Sequence, residues 1–190
     1  NETKSIDNKI KPIHPTPIIG MVGIVDNLEH LCTYSWKNHG DWIYILGLPF
    51  DSKKSTDDRI SLSGSAYLEY VHNLVTGRPP EIDLQLEKQL QFCLRELIKQ
   101  AYIKSAHDVS DGGIALAIVE SSISSELGAS IELPNLESRI DRMLFAESGS
   151  RIIISVDPNK NQKLHLFIDQ FNQEHKTQVN LTKLGLVQRD

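Results

Sequence analysis

The chain has 190 residues, 39% of them hydrophobic and 24% charged, ordinary values for one globular domain, so whole-chain disorder is excluded and two full domains are not expected. A formal net charge of −5 and a pI near 5.8 lack the basic footprint of a nucleic-acid binder. The longest apolar run, residues 18–25, falls well short of the roughly 20 residues that cross a bilayer, so no membrane partner is expected. Cys32 and Cys93 are isolated, which predicts neither a metal spacing nor a disulfide framework and suits a reducing, cytoplasmic setting.

The first 17 residues start without Met and run through a Lys-rich stretch to Pro12, Pro15 and Pro17, as a linker from a preceding half-domain does, so the chain is expected to be a piece of a longer polypeptide. Residues 18–25 read as a buried strand, 28–34 as a short further strand and 41–47 as a third, rich in β-branched and aromatic side chains. Residues 49–62 are polar and without apolar period, hence a loop. A helix is expected from Ser65, with Leu68, Val71, His72 and Val75 at helical spacing and Gly77 as its stop. A longer one is expected over 83–100, where Leu86, Leu90, Cys93, Leu94 and Leu97 share one face. Next come a strand over 102–106, a helix over 114–124, strands over 129–133, 151–156 and 182–187, and a helix over 159–175. The alternation predicts an α+β (α/β-like) sandwich, a mixed sheet with packed helices.

The segment from Ser105 to Gly113 concentrates chemistry. His107, Asp108, Ser110 and Asp111 precede Gly112 and Gly113 between a strand and a helix, where free N–H groups and a positive dipole end attract ligand anions. Asp108, Ser110 and Asp111 are equally good helix caps, and both readings stay open. Glu147 and Ser148 precede an apolar strand, and Ser65 opens a helix; each is a weaker binding candidate beside its structural reading as a strand-entry loop or a plain cap. The other histidines have no ligand spacing, and no catalytic or metal set is expected.

The runs Asn1-Glu2-Thr3, Pro15-Thr16-Pro17-Ile18-Ile19-Gly20, Leu62-Ser63-Gly64-Ser65-Ala66-Tyr67, Gly77-Arg78-Pro79-Pro80, the Ser105 to Gly113 segment and Phe145-Ala146-Glu147-Ser148-Gly149-Ser150-Arg151 resemble, in order and spacing, the phosphoribosylformylglycinamidine synthase family in its multi-subunit form. The resemblance implies an aminoimidazole ribonucleotide synthetase-like C-terminal domain over 18–190. It implies part of an ATP-dependent carbon–nitrogen ligase of purine biosynthesis that turns formylglycinamide ribonucleotide, ATP and glutamine-derived ammonia into the amidine. The domain would line a nucleotide or substrate cleft and be inactive alone, with ATP and Mg2+ as cofactors of the full-length enzyme. The implied partners are the remaining half-domains, a glutaminase subunit and a small subunit, with self-association of the piece also expected. By the resemblance, His107, Asp108, Ser110, Asp111, Gly112 and Gly113 line the cleft, with Glu147 and Ser148 less firmly placed. The chain departs from the family where Ala66 replaces a common Glu and Gly149 a common Gln, which pushes both loops towards structural roles. A docking or structural domain of the same complex, or a related ATP-using enzyme of the superfamily, is the alternative.

Overall fold

In the computed structural model, residues 2–4, 10–12, 17–49, 59–133 and 139–189 are described. Two short strands, β1 (Glu2–Lys4) and β2 (Ile10–Pro12), pair antiparallel with each other, inside the stretch expected to be a linker. The order then runs β3 (Trp42–Gly47), α1 (Ala66–His72), α2 (Leu84–Lys99), β4 (Ser105–Asp108), α3 (Gly113–Ser125), β5 (Gly128–Ile131), α4 (Ile140–Phe145), β6 (Arg151–Val156), α5 (Asn161–His175) and β7 (Asn180–Gln188).

One five-stranded sheet carries the fold, in the order β4-β6-β3-β7-β5. The central strands β3 and β6 are near-continuous apolar runs because both of their faces are covered. On one face Tyr44, Leu46, Ile152, Ile154 and Val156 meet Leu86, Leu90, Cys93 and Leu97 of α2 and Leu164, Ile168 and Phe171 of α5. On the other, Ile43, Ile45, Ile153 and Leu184 meet Ile114, Ala117 and Ile118 of α3 and Met143 of α4. Each fully buried Leu or Ile is worth ~1.5–3 kcal/mol of transfer free energy, so these two cores are the main stabilising term.

The α+β architecture is as expected, but the sheet is antiparallel in every pairing rather than mixed. The reason lies in strand order. β3, β4 and β5 run in the same direction and are joined through helices, which reads like a parallel sheet, but β6 and β7 insert between them.

Local expectations fare unevenly. Residues 18–25 form no strand, and Ile18, Met21 and Val22 are almost fully exposed. Apolar β-formers need a ladder, and none of the described strands pairs with this stretch. Where a strand was expected over 28–34, a single 3-10 turn spans Leu28–His30, capped by Asn27, whose side chain accepts from Glu29 N. Helix α1 stops at Asn73, a left-handed C-cap, short of Gly77. β4 starts at Ser105 rather than 102, and α4 was not expected. The loop expected over 49–62 falls mostly outside the described residues. The 83–100 helix, the 114–124 helix and the 151–156 strand lie within a residue of their expected bounds.

Candidate functional site

β4 is held at the sheet edge beside β6, and Val109 N continues the contact by donating to the Arg151 carbonyl oxygen at 3.1 Å. The chain then turns sharply, with Gly113 N donating to the Ser110 carbonyl at 3.0 Å, and α3 begins. At φ +69° Gly113 adopts a left-handed conformation, and a Cβ there would lie 2.5 Å from the Leu144 carbonyl oxygen and 2.8 Å from Phe145 Cα. Only glycine lets the first turn of α3 lie against the end of α4.

The cap of α3 comes from outside the segment. Gly112 is the N-cap residue and has no side chain to offer, so neither Asp108, Ser110 nor Asp111 caps the helix. Instead Gly112 N donates to Glu147 Oε1 at 2.8 Å. The same oxygen accepts from Ala66 N, the first residue of α1, also at 2.8 Å. A charged acceptor shared by two N–H groups, one at the start of each helix, is electrostatically well placed. Three segments far apart in sequence therefore meet at one carboxylate oxygen.

The other expected residues divide. Asp108, Ser110 and Asp111 are exposed beside this junction. His107 is tied down: Nδ1 lies 2.8 Å from the Asp108 carbonyl oxygen, Nε2 lies 2.9 Å from Glu120 Oε2 of α3, and the ring packs 5.0 Å from Tyr34. It links β4 to α3, and both ring nitrogens are engaged. Ser65 is buried and acts as the α1 cap, accepting from Leu68 N at 3.3 Å while donating to the Leu62 carbonyl at 2.6 Å. Ser148 is fully buried, and its hydroxyl has no hydrogen-bond partner among the described residues.

Arg151, which by residue type could also contact a polar ligand, is instead buried and underlies the whole loop. Its guanidinium is buried, donating from Nη2 to the Ala146 carbonyl at 2.5 Å and from Nε to the Ser148 carbonyl at 3.5 Å. Nη1 has no partner among the described residues. Burial pulls its pKa down to about 10. Its structural role is not legible in the sequence because its partners are carbonyls, which leave no sequence signature.

Beside the junction lies a groove of about 460 Å³ lined by Ala66, Tyr67, Tyr70, Leu116, Val119 and Phe145 among others, with Asp111 and Gly112 also in its lining. Tyr67 and Phe145 stack at 4.6 Å with their planes 6° apart. Among the described residues, no group of three or more His, Cys, Asp or Glu gathers to hold a metal. The arrangement offers an apolar wall that includes one exposed carboxylate, Asp111, held on two helix starts.

Residues 38–176 match the family model described as AIR synthase related protein, C-terminal domain. The phosphoribosylformylglycinamidine synthase subunit PurL of Prochlorococcus marinus (strain MIT 9313) is 56% identical over 156 residues, covering 82% of this chain and 20% of that protein. The chain thus spans about a fifth of the length of that curated relative. Among solved structures, T. maritima PurL complexed with FGAR superimposes with a TM-score of 0.63 at 19% identity, over 85% of this chain and 26% of that one. T. maritima PurL complexed with ATP gives 0.59 at 17% identity, over 86% and 24%. At these identities the structural likeness speaks for the fold alone.

Proposed function

We propose, from the premise that this chain belongs to the AIR synthase related family through its C-terminal domain, that it forms one wall of the nucleotide and substrate cleft of a phosphoribosylformylglycinamidine synthase. The observation that carries this reading is the junction at Glu147, where the Ser65, Gly112 and Glu147 segments converge beside an open groove. The 56% identity to a PurL subunit supplies the reaction class.

In this reading ATP phosphorylates the formamide oxygen of formylglycinamide ribonucleotide, and ammonia then attacks that carbon and displaces phosphate to give the amidine. The chain's own part is positional: a rigid wall excludes water and orients the ligands, and no described residue here is placed as a nucleophile or base. Mg2+ is read as arriving with the ATP phosphates, because the described residues gather no donor set that forms a cage for it. In this reading the exposed side chains of Asp108 and Asp111 meet that cation or a ribose hydroxyl. The remaining half-domains, a glutaminase subunit, a small subunit and a cytoplasmic setting complete the proposal.

A docking role is favoured by a separate observation. Leu116, Val119 and Ile123 on the outer flank of α3, with Tyr70 and Val75 beside α1 and the 18–25 stretch, leave apolar surface exposed. The two readings separate on ligand binding. Calorimetric titration of MgATP into the complete synthetase polypeptide, with and without Asp108→Ala plus Asp111→Ala, is the test. Loss of affinity and ligase activity with the fold intact supports the cleft. Unchanged affinity and activity would leave only the docking role.

A further inference from the structure

We propose that Glu147 is a positioning residue: one of its carboxylate oxygens clamps the start of α1 to the start of α3 and closes the Gly112 amide to any ligand anion. The clamp rests on geometry. Glu147 Oε1 accepts from Ala66 N and from Gly112 N, each at 2.8 Å, so a single atom fixes the relative placement of two helices that are separate in sequence. Helix starts attract anions, and here the anion is built into the chain. The ligand phosphate that a glycine turn at the start of α3 would ordinarily suggest therefore does not take the Gly112 amide.

The backbone that carries Glu147 is itself held from beneath. Arg151 donates to the carbonyls of Ala146 and Ser148, the residues on either side, and Ser150 Oγ donates to Glu87 Oε2 of α2 at 2.7 Å. A buried guanidinium is costly to keep without a carboxylate, and this one spends its hydrogen bonds on holding that short loop in place. The Tyr67–Phe145 stack, one residue along from Ala66 and Ala146, joins α1 to the end of α4. Oxygen, guanidinium and ring pair together make α1, the turn before α3 and the loop before β6 one rigid body. A ligand meeting this wall finds the exposed side chains of Asp108, Ser110 and Asp111 and the apolar groove, and not the helix amide.

The test compares Glu147→Ala with Glu147→Gln. Gln keeps an acceptor oxygen at the same reach, whereas Ala removes it. In the chain itself, hydrogen exchange at the Ala66 and Gly112 amides should speed up together by about tenfold or more in Glu147→Ala, since a charge-assisted hydrogen bond is lost at each, and by about threefold or less in Glu147→Gln. Exchange unchanged at either amide in Glu147→Ala overturns the clamp. The consequence for ligands rests on the function proposed above and is read in the complete synthetase. There Glu147→Ala should raise the KM for ATP or formylglycinamide ribonucleotide by about tenfold with kcat within about threefold, and Glu147→Gln should restore it. If Glu147→Gln raises KM as much as Glu147→Ala, or if either variant lowers kcat by about tenfold or more, the charge itself touches the reacting ligands and the positioning role is refuted. If the unmodified synthetase does not bind ATP, the proposed function fails, while the exchange measurement still decides the clamp.

Discussion

Replacing Gly113 by Ala asks how much the fold depends on the close approach between α3 and α4. The residue sits at φ +69°, and the added Cβ would meet backbone atoms of residues 144–146 at 2.5–2.9 Å, none of which is the end of a flexible side chain. The left-handed conformation costs an alanine ~1–2 kcal/mol, the smaller unfolded-state entropy returns ~0.4–1 kcal/mol, and forcing two backbones apart adds ~1–3 kcal/mol. The expected loss is ~2–4 kcal/mol, which for a chain of this size lowers Tm by about 5–15 °C. Gly40→Ala is the internal control, because Gly40 has φ +85° but nothing within 4 Å of its would-be Cβ, so only the backbone term applies and the loss should be ~1 kcal/mol or less. Thermal and urea denaturation followed by circular dichroism measures both. If Gly113→Ala destabilises no more than Gly40→Ala, the packing of α3 on α4 is not as tight as described and the argument for glycine at 113 falls.

Leu90→Ala empties a site 1% exposed between α2 and the sheet and should cost ~2–5 kcal/mol in urea denaturation, with activity of the complete synthetase unchanged at temperatures where the variant stays folded. Burial pushes the Cys93 thiol up to about 12, so a thiol-specific chromogenic reagent at pH 8 should label Cys93 only after denaturant is added; rapid native labelling would contradict its burial. The Asp157 carboxyl is held below its ordinary range, first by the hydrogen bond from Asn159 N and also by the nearby Lys104 ammonium. A carboxyl with a depressed folded pKa stabilises above its unfolded value and loses that contribution as pH falls, so Asp157→Asn should flatten the acid side of the Tm-versus-pH curve below about pH 5. An unchanged acid slope would count against the capping role of that side chain.

What the sequence makes legible follows from how locally each feature is determined. The apolar spacing of Leu86, Leu90, Cys93 and Leu97 declares one buried face, and Asp83 ahead of it caps the helix by accepting from Gln85 N and Leu86 N. The run over β6 is equally plain because both of its faces are covered. Residues 18–25 look alike to any local rule, yet they remain without a ladder, since a strand needs a partner and periodicity does not say whether one is free. Helix α4 is too short, with too few buried residues, to leave a period. In the site, chemistry picks out the segment before α3 and, more weakly, Glu147, but neither it nor the resemblance reveals that Glu147 caps the turn. Contacts of this kind are made between segments tens of residues apart, through backbone amides and carbonyls that every residue possesses. The antiparallel sheet escaped for the same reason: its strand order is decided by which late strands slot between early ones.

That strand order governs when the chain is able to fold. Trp42 in β3 pairs with Val156 on one side and Leu186 on the other, so the centre of the sheet is completed only by strands made more than a hundred residues later. Until β6 and β7 emerge, the run of Ile43, Tyr44, Ile45 and Leu46 has no neighbour and both apolar helix faces lack their floor. Pairings across such long stretches of sequence are slow to close, and exposed strand edges invite association while they wait. Nascent chains stalled before residue 151 should therefore be protease-sensitive throughout the α2 and α3 regions, and protection should arrive in a single step once β7 is free.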